Sequence, residues 1–178
     1  MTNSIDISPR LEEWATLAGY TLTPGSSTDD GRAMFWSPGG EVRYFVGANA
    51  DNWLIITDSD RLGAEHYRFA ANSMSIIEKY FFGTFGEFIR AKRDLPPIHI
   101  PIAKEEISDA FTIDYRPFEQ VDRLALIDPE GTALAFSSAD QFYGTMELVG
   151  LSIYLTATVD DITAAFLNPD GRPLFARR

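Results

Sequence analysis

Residues 73–93 read SMSIIEKYFFGTFGEFIRAKR, and the period of their apolar side chains decides what kind of fold this chain can have. Met74, Ile77, Phe81, Phe85 and Phe88 recur at spacings of three and four, so on an α-helix they share one narrow arc. Lys79, Gly83, Gly86 and Arg90 fall on the opposite arc. Ser73 opens this helix. Asp94-Leu95-Pro96-Pro97 closes it by Arg93, because proline disfavours helical geometry at the residue before it and has no N–H to donate. Such an aromatic stripe reads as core rather than as a ligand cage. Glycine in mid-helix costs about 1 kcal/mol relative to alanine, so Gly83 and Gly86 mark a close contact with another backbone, from this chain or from a partner.

Upstream, Ser8-Pro9 is an N-cap and first-turn pair, and Leu11, Trp14, Leu17 and Ala18 keep helical spacing until Gly19, giving a first helix over residues 8–18. Short β-type segments follow at Tyr20–Thr23, Arg32–Ser37, Glu41–Gly47, Trp53–Asp58 and Glu65–Ala71, separated by Gly, Pro, Asn, Asp and Ser. Downstream of Pro97 the chain reads as mostly β. The expected strands are Ile98–Ile102, Phe111–Tyr115, Leu124–Ile127, Thr132–Phe136, Leu148–Ala157, Thr163–Leu167 and Pro173–Phe175, with a short helix over Ala139–Met146. Leu151, Ile153 and Leu155 alternate with Ser152, Tyr154 and Thr156, the pattern of a strand with one buried face. Three segments, Phe35–Gly40, Leu126–Gly131 and Phe166–Gly171, share two apolar residues, a small polar residue, proline, any residue and glycine. Proline presets the first corner of a type I turn and glycine takes the left-handed position, so three hairpins are expected, at Pro38, Pro129 and Pro169. The fold class is therefore α+β: one domain over residues 1–178, mainly antiparallel sheet with hairpins, and one long packed helix.

The length of 178 residues sits in the single-domain range. With 45% apolar residues, including 13 phenylalanines, the chain can bury a core without help from metal or disulfide. There is no cysteine, which removes disulfides, thiolate metal sites and cysteine nucleophiles together. The net charge of −11 argues against a nucleic-acid or anionic-membrane surface. Acidic residues concentrate before residue 61 and again between 94 and 171, around a modestly basic island. This reads either as a solvated surface or as an acidic face kept for a basic partner. No basic start followed by an apolar run opens the sequence, and the longest apolar runs, such as Trp53–Ile56, are far short of the ~20 residues a spanning helix needs, so a cytoplasmic protein is expected.

Catalytic chemistry is sparse. His66 and His99 have neither HxH nor HExxH spacing, no GxSxG elbow is present, and Gly83-Thr84-Phe85-Gly86 lies inside a helix rather than between strand and helix. Asp58-Ser59-Asp60 fails as an EF-hand because Leu62 and Phe69 occupy ligand positions. The adjacent pairs Asp29-Asp30, Glu105-Glu106 and Asp160-Asp161 would suit a glycosidase only if opposed carboxylates came from distant segments. Glu105-Glu106 and Asp160-Asp161 also suit a first helical turn. No metal, no cofactor and no turnover are expected.

Thr57–Ala71, Ile77–Gly86 with Arg90, and the upstream Phe35–Tyr44 resemble the actinobacterial immunity-factor family that neutralises the tuberculosis necrotizing toxin. The resemblance implies an antitoxin that binds a secreted NAD-hydrolysing toxin domain, expected as a 1:1 heterodimer, and blocks its active site. Loops are the elements able to enter a concave site while a sheet holds them. Two qualify: Gly25–Gly31, with Asp29 and Asp30 at its tip, and Asp58–Glu65, with Asp60, Arg61 and Gly63. The candidate toxin-binding residues are Asp29, Asp30, Asp58, Asp60, Arg61, Gly63 and Glu65. An acidic secretion chaperone and a carboxylate-dependent hydrolase are the competing classes.

Overall fold

A computed structural model of the chain describes residues 4–178. Met1–Asn3, where the reading of an absent leader begins, lie outside the described residues. The chain divides into two compact units, one up to Glu78 and one from Lys79.

The first unit opens with α1 (Pro9–Ala18). Ser8 Oγ accepts from Leu11 N–H, Pro9 fills the first helical position, and Gly19 ends the helix in the left-handed conformation at φ 94°. Leu11, Trp14 and Ala15 form its buried face. Then come β1 (Thr21–Thr23), β2 (Ala33–Trp36), β3 (Val42–Ala48), β4 (Leu54–Asp60) and β5 (His66–Ala71), an antiparallel meander in chain order. Phe35, Tyr44, Val46 and Ile56 turn inward and are buried, as period-two alternation requires. Met34, Trp36, Arg43, Phe45 and Thr57 alternate with them on the opposite, half-buried face. Every expected element of this half is present within about two residues.

The second unit is where expectation and structure part. β7 (Thr112–Phe118), β8 (Val121–Ile127) and β9 (Ala133–Phe136) form an antiparallel set, and β6 (Ile98–His99) pairs with β10 (Ala176–Arg177). Leu148–Ala157 and Thr163–Leu167, however, are not strands. They belong to α3 (Gln141–Thr156) and α4 (Val159–Leu167), with no single helix among the described residues long and apolar enough to cross a membrane. From Leu148 to Ser152 every residue of α3 is buried, so no polar stripe remains to reveal the 3.6 period and the apparent alternation is incidental. Buried Ser152 is satisfied, donating to Val149 O of the same helix at 2.7 Å and accepting from Ser108 N of the loop before β7 at 3.1 Å. The signals that mark these helices are their caps: Asp140 Oδ1 accepts from Tyr143 N, and Thr158 and Asp161 form a reciprocal capping box.

The Pro-x-Gly turns divide in the same way. Pro38 and Pro129 make the expected hairpins, but the turn at Pro169 follows α4 and joins no strand pair, which corrects the third hairpin. All three nonetheless share one local chemistry. The glycine N–H donates to the carbonyl of the residue before proline, Ser37, Asp128 or Asn168, at 2.8–3.0 Å, with glycine φ of 68–84°. Local sequence specifies this turn whether a strand or a helix feeds it. Pro173–Phe175 likewise precedes the terminal strand rather than forming it.

Helix α2 (Met74–Lys92) matches its expected span, and Ile77, Phe81 and Phe85 are fully buried; Phe88, 38% exposed, is the edge of the stripe. The opposite arc faces protein too. A methyl group at Gly83 would overlap the Tyr154 ring, and one at Gly86 the Phe166 ring. Aromatic rings of α3 and α4, rather than backbone, make the close contact that these glycines permit. Lys79 Nζ donates to Leu155 O and Ala157 O at the end of α3. The Arg90 guanidinium, in a residue only 6% exposed, donates to Phe166 O, Asn168 O and Pro169 O at the end of α4 and to Pro96 O. These two cations thus satisfy the orphan carbonyls of two helix C-termini, where positive charge is favoured.

Candidate functional site

The two candidate loops belong to the first unit and meet at a residue outside the candidate set, Arg32. Register places Ala33 opposite Val46 and Phe45 opposite Thr57. Gly47, in the middle of the meander, has no side chain, and a Cβ there would stand 2.8 Å from Arg32 Cγ and Cδ. The arginine stem therefore crosses β3 at Gly47, and its guanidinium lies 4.7 Å from the centre of the Phe45 ring. There it makes a two-pronged contact with Glu65, Nη1–Oε2 2.7 Å and Nη2–Oε1 3.1 Å, while Nε donates to Asp30 Oδ2 at 2.7 Å. Asp30 Oδ1 also accepts from Arg32 N, and Thr57 Oγ1 donates to Glu65 Oε2 at 2.5 Å. One arginine brackets the β1–β2 loop to the β4–β5 loop.

Electrostatics follow from this contact. The Arg32 hydrogen bonds hold the Asp30 and Glu65 carboxyls below the usual carboxylate range, and the Glu65 bond raises the guanidinium further. Beside the bracket is an open recess of 440 Å³ lined by Thr23, Ser27, Thr28, Asp29, Asp30, Arg32, Met34 and Phe45.

The seven candidates separate into three roles. Asp30, Glu65 and Asp58 are engaged internally, the last with Arg68 at 3.4 Å. Asp29, Asp60 and Arg61 are exposed. Gly63 closes the turn: its N–H donates to Asp60 O at 2.8 Å, and any Cβ there would press to 2.9 Å on that carbonyl. The β4–β5 turn carries one feature that the expected pattern lacks. Arg61 and Leu62 have φ of 49° and 61°, left-handed values that cost a residue with a side chain about 1 kcal/mol or more. Leu62 is also 74% exposed. Arg32 was detectable through Gly47, since an isolated glycine in a strand signals close approach. No local signal marked Leu62, which lies in a turn inside the Arg61–Glu65 connection.

One carboxylate of each pair suggested for hydrolysis serves local structure. Asp161 caps α4, Asp30 pairs with Arg32, and Glu106 Oε2 accepts from Ile102 N and Ala103 N while its Oε1 lies 2.5 Å from His99 Nε2. The contact with His99 lowers the Glu106 carboxyl to about 2.

Comparison with known proteins agrees with this architecture over nearly the whole chain. Residues 14–174 match the family described as Immunity protein 61. The chain is 44% identical over 175 residues to the immunity factor for TNT of Mycobacterium tuberculosis (strain ATCC 25618 / H37Rv), covering 98% of this chain and 96% of that protein. The same identity and coverage hold for the immunity factor for TNT homolog of Mycobacterium bovis (strain BCG / Pasteur 1173P2). The solved structure of Rv3902c from M. tuberculosis superposes with a TM-score of 0.91 at 42% identity, covering 99% of this chain and 98% of that one. The likeness extends over nearly the whole chain, and the chain belongs to the immunity protein 61 family.

Proposed function

We propose that this chain is a cytoplasmic antitoxin that binds a TNT-type, NAD-hydrolysing toxin domain one to one and blocks its active site, itself without turnover. The near full-length likeness to the immunity factor for TNT carries this reading. The β1–β2 and β4–β5 loops are the proposed contact. Arg32 presets their separation, so less conformational freedom is lost on binding. Asp29 and Asp60 present carboxylates that compete with the NAD phosphates for basic groups on the toxin, and Arg61 offers a fork to a toxin carboxylate.

Co-expression with the toxin domain, scoring growth and cellular NAD, tests the reading. Protection together with a stoichiometric complex supports it. Toxin that is secreted normally but stays active in the complex would favour the secretion chaperone instead. NAD or glycoside hydrolysis by the purified protein, lost on carboxylate substitution, would overturn the non-enzymatic assignment.

A further inference from the structure

The tip of the β4–β5 hairpin is built against local preference. The connection from β4 to β5 runs over Arg61–Glu65, and its first turn, Asp60–Gly63, has both central residues left-handed, a geometry that favours Asn and Gly, yet Arg61 and Leu62 stand there at φ 49° and 61°. Elsewhere among the described residues such positions go to glycine, as at Gly39, Gly131 and Gly171, or to polar residues, as at Asn52 and Asp94. The comparable tip between β7 and β8, Glu119 and Gln120 at φ 48° and 66°, carries polar side chains that suit water. Among the described residues, Leu62 is the one apolar non-glycine side chain on left-handed backbone, and it is the most exposed of the large apolar residues, at 74%. The turn is also anchored: Arg61 N donates to Glu41 O at 2.6 Å and Gly63 N to Asp60 O at 2.8 Å, with Asp60 paired to Val42. A fixed, strained turn that displays leucine to water gains nothing in the free protein, and its arrangement suits insertion into a partner.

We propose that Leu62 is the apolar anchor of the toxin contact, seated in an apolar recess of the toxin, with Asp60 and Arg61 as its polar collar. This rests on the antitoxin reading and adds to it the residue and the chemistry of the pocket that receives it. A few residues seated in fully desolvated pockets near an interface centre carry most of the affinity.

The test uses the full chain and a catalytically inactivated TNT-type toxin domain from the same genome, with affinity by calorimetry and folding by circular dichroism. Leu62→Asp is expected to weaken binding more than about 10-fold and Leu62→Met to retain it within about threefold. The double substitution Arg61→Asn with Leu62→Gly relaxes the turn, so its Tm should rise while its affinity falls. Wild-type binding that Leu62→Asp leaves within twofold overturns the anchor and leaves the antitoxin reading standing, as does a double variant that is more stable and equally tight. Absence of wild-type binding overturns both.

Discussion

Arg32 and Arg90 are both multiply bonded arginines, and their surroundings divide the molecule into what is built to last and what is built to meet something. Arg90 is buried in the second unit and gives its donors to neutral carbonyls at the end of α4. Arg32 lies partly exposed in the first unit and gives its donors to two carboxylates on two loops. A buried cation bonded to backbone is expensive to disturb, because its removal strands several acceptors away from water. A solvated ion pair contributes little to stability and a good deal to where its loops stand. The same residue type is thus a structural pin in one place and a positioning device in the other.

The largest effect should come from Arg90→Met, which leaves carbonyls at the α4 terminus unsatisfied. A loss of about 3 kcal/mol, or ~10 °C in Tm, is expected in a thermal or urea melt. A loss under about 1 kcal/mol would erase the contrast. Next is Gly86→Ala, which forces a methyl group into the Phe166 ring and should cost about 1–3 kcal/mol. Combining it with Phe166→Leu should recover part of that cost, and strict additivity in the double-mutant cycle would show that the two do not touch.

Arg32→Ala is expected to change stability by no more than about 1 kcal/mol. It should weaken toxin binding, chiefly through faster dissociation, while the added net acidity keeps the salt dependence of association at least as steep, measured by stopped flow or surface plasmon resonance. Gly47→Val, which displaces the arginine stem without altering any charge, should reproduce the binding defect. If it does not, the bracket does not position the loops.

The smallest effect is on pH. Asp30 and Glu65 have depressed carboxyl values, so their pairing is fully present above the ordinary carboxylate range near about 4 and is lost as pH falls through their lowered folded values. Both side chains are more than a third exposed, and solvent screening keeps the contribution below about 1 kcal/mol. Urea melts between pH 5 and pH 3 should show an acid loss that Arg32→Ala reduces.

Local pattern carried the first unit and failed in part of the second for one physical reason. Caps, turns and period-two alternation are written within a few residues of where they act. Ser8-Pro9, the Pro-x-Gly turns at Pro38 and Pro129, and the inward series Phe35, Tyr44, Val46 could all be read directly, and so could α2. A helix buried on all sides, like α3 at Leu148–Ser152, loses the polar stripe that identifies it, and only its caps at Asp140 and Thr158 remain legible. In the candidate site, the loop residues Asp29, Asp30, Asp60 and Arg61 were visible as turns, but their engagement was not. Sequence by itself determined the α+β class, the meander, the long helix and the resemblance that names the family. Tertiary structure decided which glycine admits which ring, that Lys79 and Arg90 serve helix ends rather than solvent, and that Arg32 reaches across Gly47 to join two loops. Those choices depend on residues 15 to about 80 positions apart, and no local pattern encodes such a distance.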